Sequence, residues 1–144
     1  YYFAVNCSRT CSPQLVRHRI GTAYSQKSER YVEDNDFNVI IPPEIEANPE
    51  ASREFTKSIT EGISSYKQLR SHGIKKEDAR FVLPRIETQL TVSFNARSLR
   101  HFIKIRNTEH AQWEIRSIAK QMLTQAKEVT PNIFFDLNIK GGIN

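Results

Sequence analysis

Basic side chains cluster in the segment RHRIGTAYSQKSERY, which runs from Arg17 to Tyr31. It holds five basic residues if His18 is counted and a single carboxylate, that of Glu29. Charged side chains at this density repel one another and are costly to bury, so we expect the segment to meet an anion. Arginine forks beside hydroxyl and amide groups suit a phosphate together with the polar edge of a ring. On composition alone a nucleic-acid patch explains the segment equally well, with Tyr24 and Tyr31 stacking on bases.

A second candidate for chemistry is Arg106, in a helix predicted over residues 96–107. At about 100° per residue, Leu99, Phe102 and Ile103 form an apolar stripe, and Arg106 falls in the middle of it. A guanidinium aimed into an apolar face has to be paired or to face a cavity, because burying it alone is prohibitively costly. Two interpretations stay open: a structural ion pair, or a donor fork for a ligand oxygen or a planar anion.

The opposite face of that helix is basic, with Arg97, Arg100, His101 and Lys104. It is interpreted either as a solvated charged face or as a wall that, with Asn95, holds phosphates or a planar ring. The chain contains no HExxH, Walker or GxGxxG motif and no carboxylate pair with glycosidase-like spacing. The sequence therefore indicates binding of an anionic ligand and predicts no metal site.

Length, charge and cysteine content limit the number of domains, the kind of partner and the cellular location that we expect. The chain has 144 residues, a net charge of +5 and a pI near 9.4, which predict a single domain over residues 1–144 and favour an anionic partner. Cys7 and Cys11 are interpreted as two reduced, partly buried thiols. No apolar run reaches the ~20 residues needed to span a bilayer, and no signal peptide is recognisable, so a cytoplasmic location is expected. The start in strand-like sequence without Met suggests a missing N-terminal segment.

The elements that must position these residues follow from periodicity and capping signals. A strand is predicted over residues 1–5. A short helix follows, with Ser12 as N-cap and Pro13 in its first turn, so that residues 17–19 lie in its last turn. Residues 20–38 are expected to be polar and irregular.

Beyond residue 45 the sequence predicts a helix capped by Asn48 and ended by Gly73, and then a shorter helix closed by Pro84. A half-buried strand is predicted over residues 88–94. Two more helices are predicted, one over residues 96–107 with Asn95 as its cap and one over residues 109–127. Strands are few and do not alternate regularly with helices. The predicted fold class is therefore α+β, a small mainly antiparallel sheet packed with several helices.

Four blocks in order, QLVRHRIGTAYSQKSERYV, ARFVLP, FNARSL and HAQWEIR, resemble the flavin-dependent thymidylate synthase family. The resemblance runs from about Ser8 to Glu128. It implies a homotetramer that binds FAD and converts dUMP to dTMP, with NADPH reducing the flavin and methylenetetrahydrofolate supplying the carbon. It also implies that reduced flavin delivers the hydride, so that no enzyme cysteine attacks the uracil. Neither cysteine stands in a nucleophile arrangement with a base, which agrees with that implication.

The resemblance assigns site residues motif by motif. For dUMP it implies contacts from Gln14, Arg17, Gln26, Lys27, Ser28, Glu29, Arg30, Arg80 and Arg106. For FAD it implies contacts from Arg17, His18, Arg19, Gln26, Asn95, Ala96, Arg97 and His101. Arg106 is the expected catalytic residue, stabilising the uracil ring ionised at N3, since a cation on an apolar stripe needs an anion.

The chain departs from the family pattern in two places. One extra residue lies between the Arg-His-Arg triplet and the motif serine, so residues 20–24 are left unassigned. The N-terminal segment that contributes further flavin and folate contacts in the family is expected to be missing from this sequence. Two alternatives therefore stay open: an inactive fragment or degenerate copy, and a basic nucleic-acid-binding module whose affinity falls steeply with salt.

Overall fold

Residues 1–28 and 37–138 are described by the computed structural model, and they divide into two compact units. The sheet unit comprises residues 1–26 and the chain from residue 89 onward, and the helical unit comprises residues 27–88. The single domain expected over residues 1–144 stays a prediction.

The described residues contain one three-stranded sheet, in the order β1-β3-β2. Its strands are β1 (Tyr2–Ser8), β2 (Thr22–Gln26) and β3 (Glu87–Phe94). β2 runs antiparallel to β3, with Thr22 opposite Phe94. Tyr1 and Phe94 exchange both backbone hydrogen bonds at 2.8 Å, the pattern of an antiparallel pair. The predicted α+β class with a small antiparallel sheet is confirmed.

Seven α-helices lie in the described ranges: α1 (Ser12–Leu15), α2 (Pro43–Glu46), α3 (Pro49–Ser71), α4 (Lys76–Ala79), α5 (Ala96–Arg106), α6 (Trp113–Val129) and α7 (Pro131–Phe134). A 3₁₀ turn, Arg80–Val82, continues from α4. Within residues 1–28 and 37–138, no helix has both the length and the apolar character needed to cross a membrane.

The core of the sheet unit forms where one face of the sheet meets α5 and α6. The predicted period-two burial of β3 is confirmed, since Leu90, Val92 and Phe94 are all buried. The predicted stripe of α5, Leu99, Phe102 and Ile103, is buried, and so are the expected core positions of α6, namely Ile115, Ile118, Met122 and Ala126. Each large apolar side chain buried in this way stabilises the fold by roughly 1.5–3 kcal/mol.

The helical unit is organised by α3, whose two ends are set by the predicted residues. Asn48 Oδ1 accepts from the backbone N–H groups of Glu50 and Ala51 at 3.0 and 3.2 Å. Gly73, at φ +80°, follows the last turn. These two signals start and stop the helix as predicted.

Three local predictions are wrong, each because of a bond to another segment or to a neighbouring cap. Ser12 does not cap α1: Cys11 occupies the N-cap position without a capping side-chain bond. α1 ends at Leu15, so residues 17–19 follow the helix instead of forming its last turn. α6 begins at Trp113, not at residue 109, because Gln112 Oε1 accepts from the N–H groups of its first turn at 3.0 and 3.1 Å.

Residues 22–26, expected to be irregular, form β2. The side chains of this strand are half-buried or exposed, so it lacks an apolar stripe that local periodicity would reveal. Pairing with β3, some seventy residues later in the chain, is what makes it a strand.

Candidate functional site

Backbone and hydroxyl contacts hold the basic loop, residues 17–21, between α1 and β2. The Tyr24 hydroxyl lies 2.9 Å from the carbonyl oxygen of Leu15 and 2.6 Å from that of His18. Thr22 Oγ1 also donates to the His18 carbonyl. Because this carbonyl accepts from two side chains of β2, the chain leaves the helix after Leu15 and the basic loop has a defined course.

The basic loop is joined to the first turn of α5 at Gly21. The carbonyl of Gly21 accepts from the Asn95 N–H at 2.9 Å, and the carbonyl of Ile20 accepts from Ser98 Oγ at 2.5 Å. Gly21 has φ +64°, and a Cβ placed there would lie 2.0 Å from Asn95 Nδ2. Only glycine fits this junction, which brings the Arg-His-Arg triplet beside the start of α5.

The two segments together line a cavity of about 600 Å³, here called the cationic cavity. Its lining residues are Arg17, His18, Arg19, Ile20, Thr22, Arg97, Ser98 and His101. None of the lining residues that the structure describes is a carboxylate. Three arginines and two histidines around one cavity form a site for an anion, and the volume is that of an ordinary small-molecule pocket.

α5 presents its residues to the cavity through a capped N-terminus. Asn95 Oδ1 accepts from the Ser98 N–H at 2.8 Å, as the sequence predicts. Arg97 and His101, four positions apart, therefore share the face that lines the cavity. The wall of a cavity therefore fits Arg97 and His101, whereas Arg100 pairs with Asp136 at 2.7 Å and Lys104 is exposed outside the lining.

Arg106, at the end of α5, contacts the basic loop through His18. Its Nε–H donates to His18 Nε2 at 3.0 Å, and its side chain is half-buried. Within residues 1–28 and 37–138, no carboxylate is paired with this guanidinium. The interpretation as a structural ion pair therefore finds no support in the described part of the chain.

Burial shifts the pKa values of two groups at this site, His18 in the basic loop and Tyr24 in β2. Burial lowers the pKa of His18, and the positive charges of Arg106 and His101 lower it further. Burial raises the pKa of Tyr24, an effect that its bond with Thr22 partly offsets. His18 is therefore neutral and Tyr24 remains a hydroxyl donor near neutral pH.

Five predicted residues of the sheet unit, Arg106 among them, are not among the residues described as lining the cavity. Gln14 is half-buried in α1, and Gln26 ends β2, where its Nε2 donates to Ser12 Oγ at 3.2 Å. Asn95 caps α5 and Ala96 begins it. Asn95 thus shapes the junction from which Arg97 and His101 extend.

The remaining predicted residues belong to the helical unit or fall outside the described residues. Lys27 and Ser28 are exposed residues of the helical unit, which also contains Arg80. Arg80 begins the 3₁₀ turn, and its Nε donates to the Glu77 carbonyl at 3.1 Å. Glu29 and Arg30 fall outside the described residues.

Ile20, Thr22 and Ser98 line the cavity although the sequence did not single them out. The helical positions of Arg97 and His101 could have identified Ser98, because all three fall within about 100° of one another around α5. Ile20 is 88% exposed, and an apolar side chain so exposed among cations is unusual enough to be a signal. Nothing in the local sequence distinguishes Thr22.

A second set of polar groups, the buried polar cluster, comprises Cys7, Ser8, Cys11 and Glu114. Glu114 accepts from the Ser8 N–H and from Ser8 Oγ, both at 2.6 Å. The two cysteines are free thiols with no exposed surface. A hydrogen bond with Cys7, burial and the Glu114 charge raise the pKa of Cys11 well above its usual range. Neither cysteine is therefore suited to act as a nucleophile.

Comparison with known proteins matches residues 1–132 to the family model described as "Thymidylate synthase complementing protein". A protein of Thermococcus onnurineus named "Flavin-dependent thymidylate synthase" is 44% identical over 127 residues, which cover 84% of this chain and 51% of that protein. Proteins of the same name from Geobacter sulfurreducens and Clostridium tetani are 44% and 38% identical over 90% and 92% of this chain, and over 56% and 60% of their own lengths. The chain thus spans little more than half the length of these relatives. It belongs to the thymidylate synthase complementing protein family, that of the flavin-dependent thymidylate synthases.

Proposed function

We propose that this chain is part of an enzyme that converts dUMP to dTMP by reductive methylation, with FAD as cofactor and NADPH and methylenetetrahydrofolate as co-substrates. The observation that carries the proposal is the cationic cavity, in which the Arg-His-Arg triplet and the N-terminal half of α5 converge. The family and the names of its members support a flavin and a nucleotide as the proposed ligands.

The residues around the cavity fit a flavin cofactor. Arg19 and Arg97 offer forked donors for its phosphates, and His101 offers a planar ring beside them. Arg17 and His18 complete the lining on the basic loop. The other residues that would hold FAD are Gln26, Asn95 and Ala96. A volume of about 600 Å³ accommodates one planar ring system with a few polar contacts.

The nucleotide would be held by cations whose positions follow the family motif. We assign Arg17 and Arg106 to dUMP from the sheet unit. The remaining assigned dUMP contacts are Gln14, Gln26, Lys27, Ser28, Glu29, Arg30 and Arg80. Arg106 is the proposed catalytic residue, because a guanidinium without a described carboxylate partner can stabilise negative charge on the pyrimidine ring.

The chain's own residues orient the reactants and handle charge, while reduced flavin, when bound, supplies the hydride. The full burial of Cys7 and Cys11 and the raised pKa of Cys11 support a reaction without a cysteine nucleophile. Their free state also fits the reducing cytosol, which we propose as the compartment. The assembly proposed for the complete protein is a homotetramer with sites shared between subunits.

The position of Tyr24 in β2 weakens the nucleic-acid alternative. Tyr24, proposed above to stack on bases, is half-buried, packs against the core and uses its hydroxyl on two backbone carbonyls. It is not available as a stacking platform. A nucleic-acid module would also lose affinity steeply and uniformly as salt rises, whereas a nucleotide enzyme would distinguish dUMP from UMP.

The test is a flavin titration of the complete gene product, followed through the visible absorption spectrum. We expect FAD to bind and its spectrum to shift on addition of dUMP, while UMP leaves it unchanged. The same titration of residues 1–144 shows whether this portion binds flavin by itself. A complete protein that takes up no FAD, or one that responds equally to dUMP and UMP, would contradict the proposal.

A further inference from the structure

The bond between Arg106 and His18 defines the protonation state of the imidazole. An arginine side chain is protonated at all accessible pH values, so its Nε can only donate. His18 Nε2, 3.0 Å away, must therefore be the acceptor and carry no proton. The imidazole is neutral in this arrangement, with its proton on Nδ1.

The His18 ring is also fixed from two other sides. It stands edge-to-face against Phe102, with centroids 4.9 Å apart and an interplanar angle of 89°. Phe102 is itself fully buried in the core. The His18 carbonyl accepts from Thr22 and Tyr24 of β2. A ring whose backbone and face are both fixed presents Nε2 to Arg106 at a constant position.

The charged groups around His18 all favour its neutral form. Arg106 and His101 act on it from α5, and Arg17 and Arg19 flank it in the basic loop. Tyr24 faces it from β2 as a neutral hydroxyl, and Arg97 lies across the cavity. From the α1 and β1 side, Cys11 is a neutral thiol, and both Glu114 oxygens accept from Ser8. Within the described ranges no carboxylate stabilises a protonated His18.

We propose that His18 is a positioning residue for Arg106: its neutral imidazole holds the guanidinium through Nε and leaves the Nη groups to meet the ligand anion. This inference rests on the proposed function, because it assigns Arg106 to the bound nucleotide. Protonation of His18 removes the acceptor and places a second cation beside Arg106. The guanidinium is then released, and dUMP binding weakens as the pH falls through the pKa of His18, which lies below its ordinary value.

The first test measures dUMP affinity of the FAD-loaded complete protein between pH 5 and pH 8. His18→Gln keeps an acceptor at the Nε2 position without titrating, and His18→Phe removes the acceptor. We expect the wild-type affinity to fall at acid pH, His18→Gln to flatten that profile, and His18→Phe to bind dUMP about ten- to a hundredfold more weakly at pH 8. His72→Gln, at an exposed histidine of the helical unit, is the matched control and should keep the wild-type profile.

A double-mutant cycle separates positioning from a direct ligand contact. If His18 acts through Arg106, His18→Phe has little further effect on dUMP affinity in an Arg106→Ala background. Equal effects in both backgrounds would overturn the proposal, since His18 would then act independently of Arg106. Histidine-ring ¹⁵N NMR of the wild-type protein gives a readout that needs no variant: a protonated Nε2 at neutral pH would also overturn it. A wild-type protein that binds neither FAD nor dUMP would instead contradict the proposed function.

Discussion

The cationic cavity and the buried polar cluster belong to the same unit but differ in how their polar groups are paired. In the buried polar cluster, both Glu114 oxygens accept from Ser8, and the free thiols of Cys7 and Cys11 are fully buried. Around the cavity, cations stand together, and no carboxylate is present among the described lining residues. Polar residues that satisfy one another stabilise the fold, whereas like charges held together by the backbone require an anion from outside. Whether a polar group has a hydrogen-bond partner within the fold therefore helps to distinguish structural polar groups from candidate binding groups.

The largest expected effect is on the free energy of unfolding, when a residue of the buried polar cluster is removed. Glu114→Ala leaves the Ser8 N–H and hydroxyl without their acceptors in a site that is 5% exposed. We expect the free energy of unfolding to fall by about 3 kcal/mol, because unpaired buried donors keep their full desolvation cost. Urea denaturation followed by circular dichroism measures the change.

Glu128→Ala is the control, since Glu128 is an exposed carboxylate on the same helix. Its free energy of unfolding should stay within about 0.5 kcal/mol of the wild-type value. A Glu114→Ala protein as stable as this control would show that the buried cluster is not structural.

The second prediction tests the junction that joins the basic loop to α5. Gly21→Ala forces a Cβ to within 2.0 Å of Asn95 Nδ2 at a φ of +64°. Gly73→Ala has a similar φ of +80° but nothing within 4 Å of the new Cβ. We expect destabilisation of about 1 kcal/mol at Gly73 from backbone conformation alone, and of about 2 kcal/mol at Gly21, where steric contact adds to it.

Thermal unfolding of the two variants compares them directly. Flavin affinity should fall in Gly21→Ala and stay at the wild-type value in Gly73→Ala, because only the first junction shapes the cationic cavity. Equal flavin affinities for the two variants would show that the basic loop does not depend on Gly21 for its position.

Sequence alone identified the elements whose signals are local. Asn48 and Asn95 cap their helices as predicted, and β3 shows its alternation in burial at residues 88, 90, 92 and 94. β2 was missed because its outward residues carry no apolar pattern and its partner strand lies far along the chain. Pairing across the sheet, not propensity, decides its structure.

In the candidate site, too, some features were visible in the sequence and others only in the fold. The charges of Arg17, Arg19 and Arg97 are visible in the sequence, and so is the anomaly of Arg106 on an apolar stripe. The bond from Arg106 to His18 joins residues 88 positions apart, and no spacing rule connects them. The residues proposed to meet a ligand were predictable by type, but the contact on which the proposed role of His18 rests could be found only from the fold.

The smallest effect on stability is expected at the cavity wall, where the charge of an exposed residue can be removed without disturbing the core. Arg97 is exposed and follows the cap of α5, so Arg97→Ala should leave the free energy of unfolding within about 0.5 kcal/mol of the wild-type value. FAD affinity should fall about tenfold, the loss of one charge-assisted hydrogen bond to an anion. Fluorescence quenching of FAD on binding to the complete protein measures this.

Lys104→Ala provides the matched comparison, because Lys104 is an exposed cation on the same helix that does not line the cavity. The two variants lose the same formal charge, so they share any effect of net charge on FAD. A specific cavity predicts a large difference between them at about 0.15 M salt, where charges more than about 8 Å from the ligand are screened. If both variants lose affinity equally, α5 attracts anions only through its overall charge, and the cavity wall is no more specific than the rest of the helix surface.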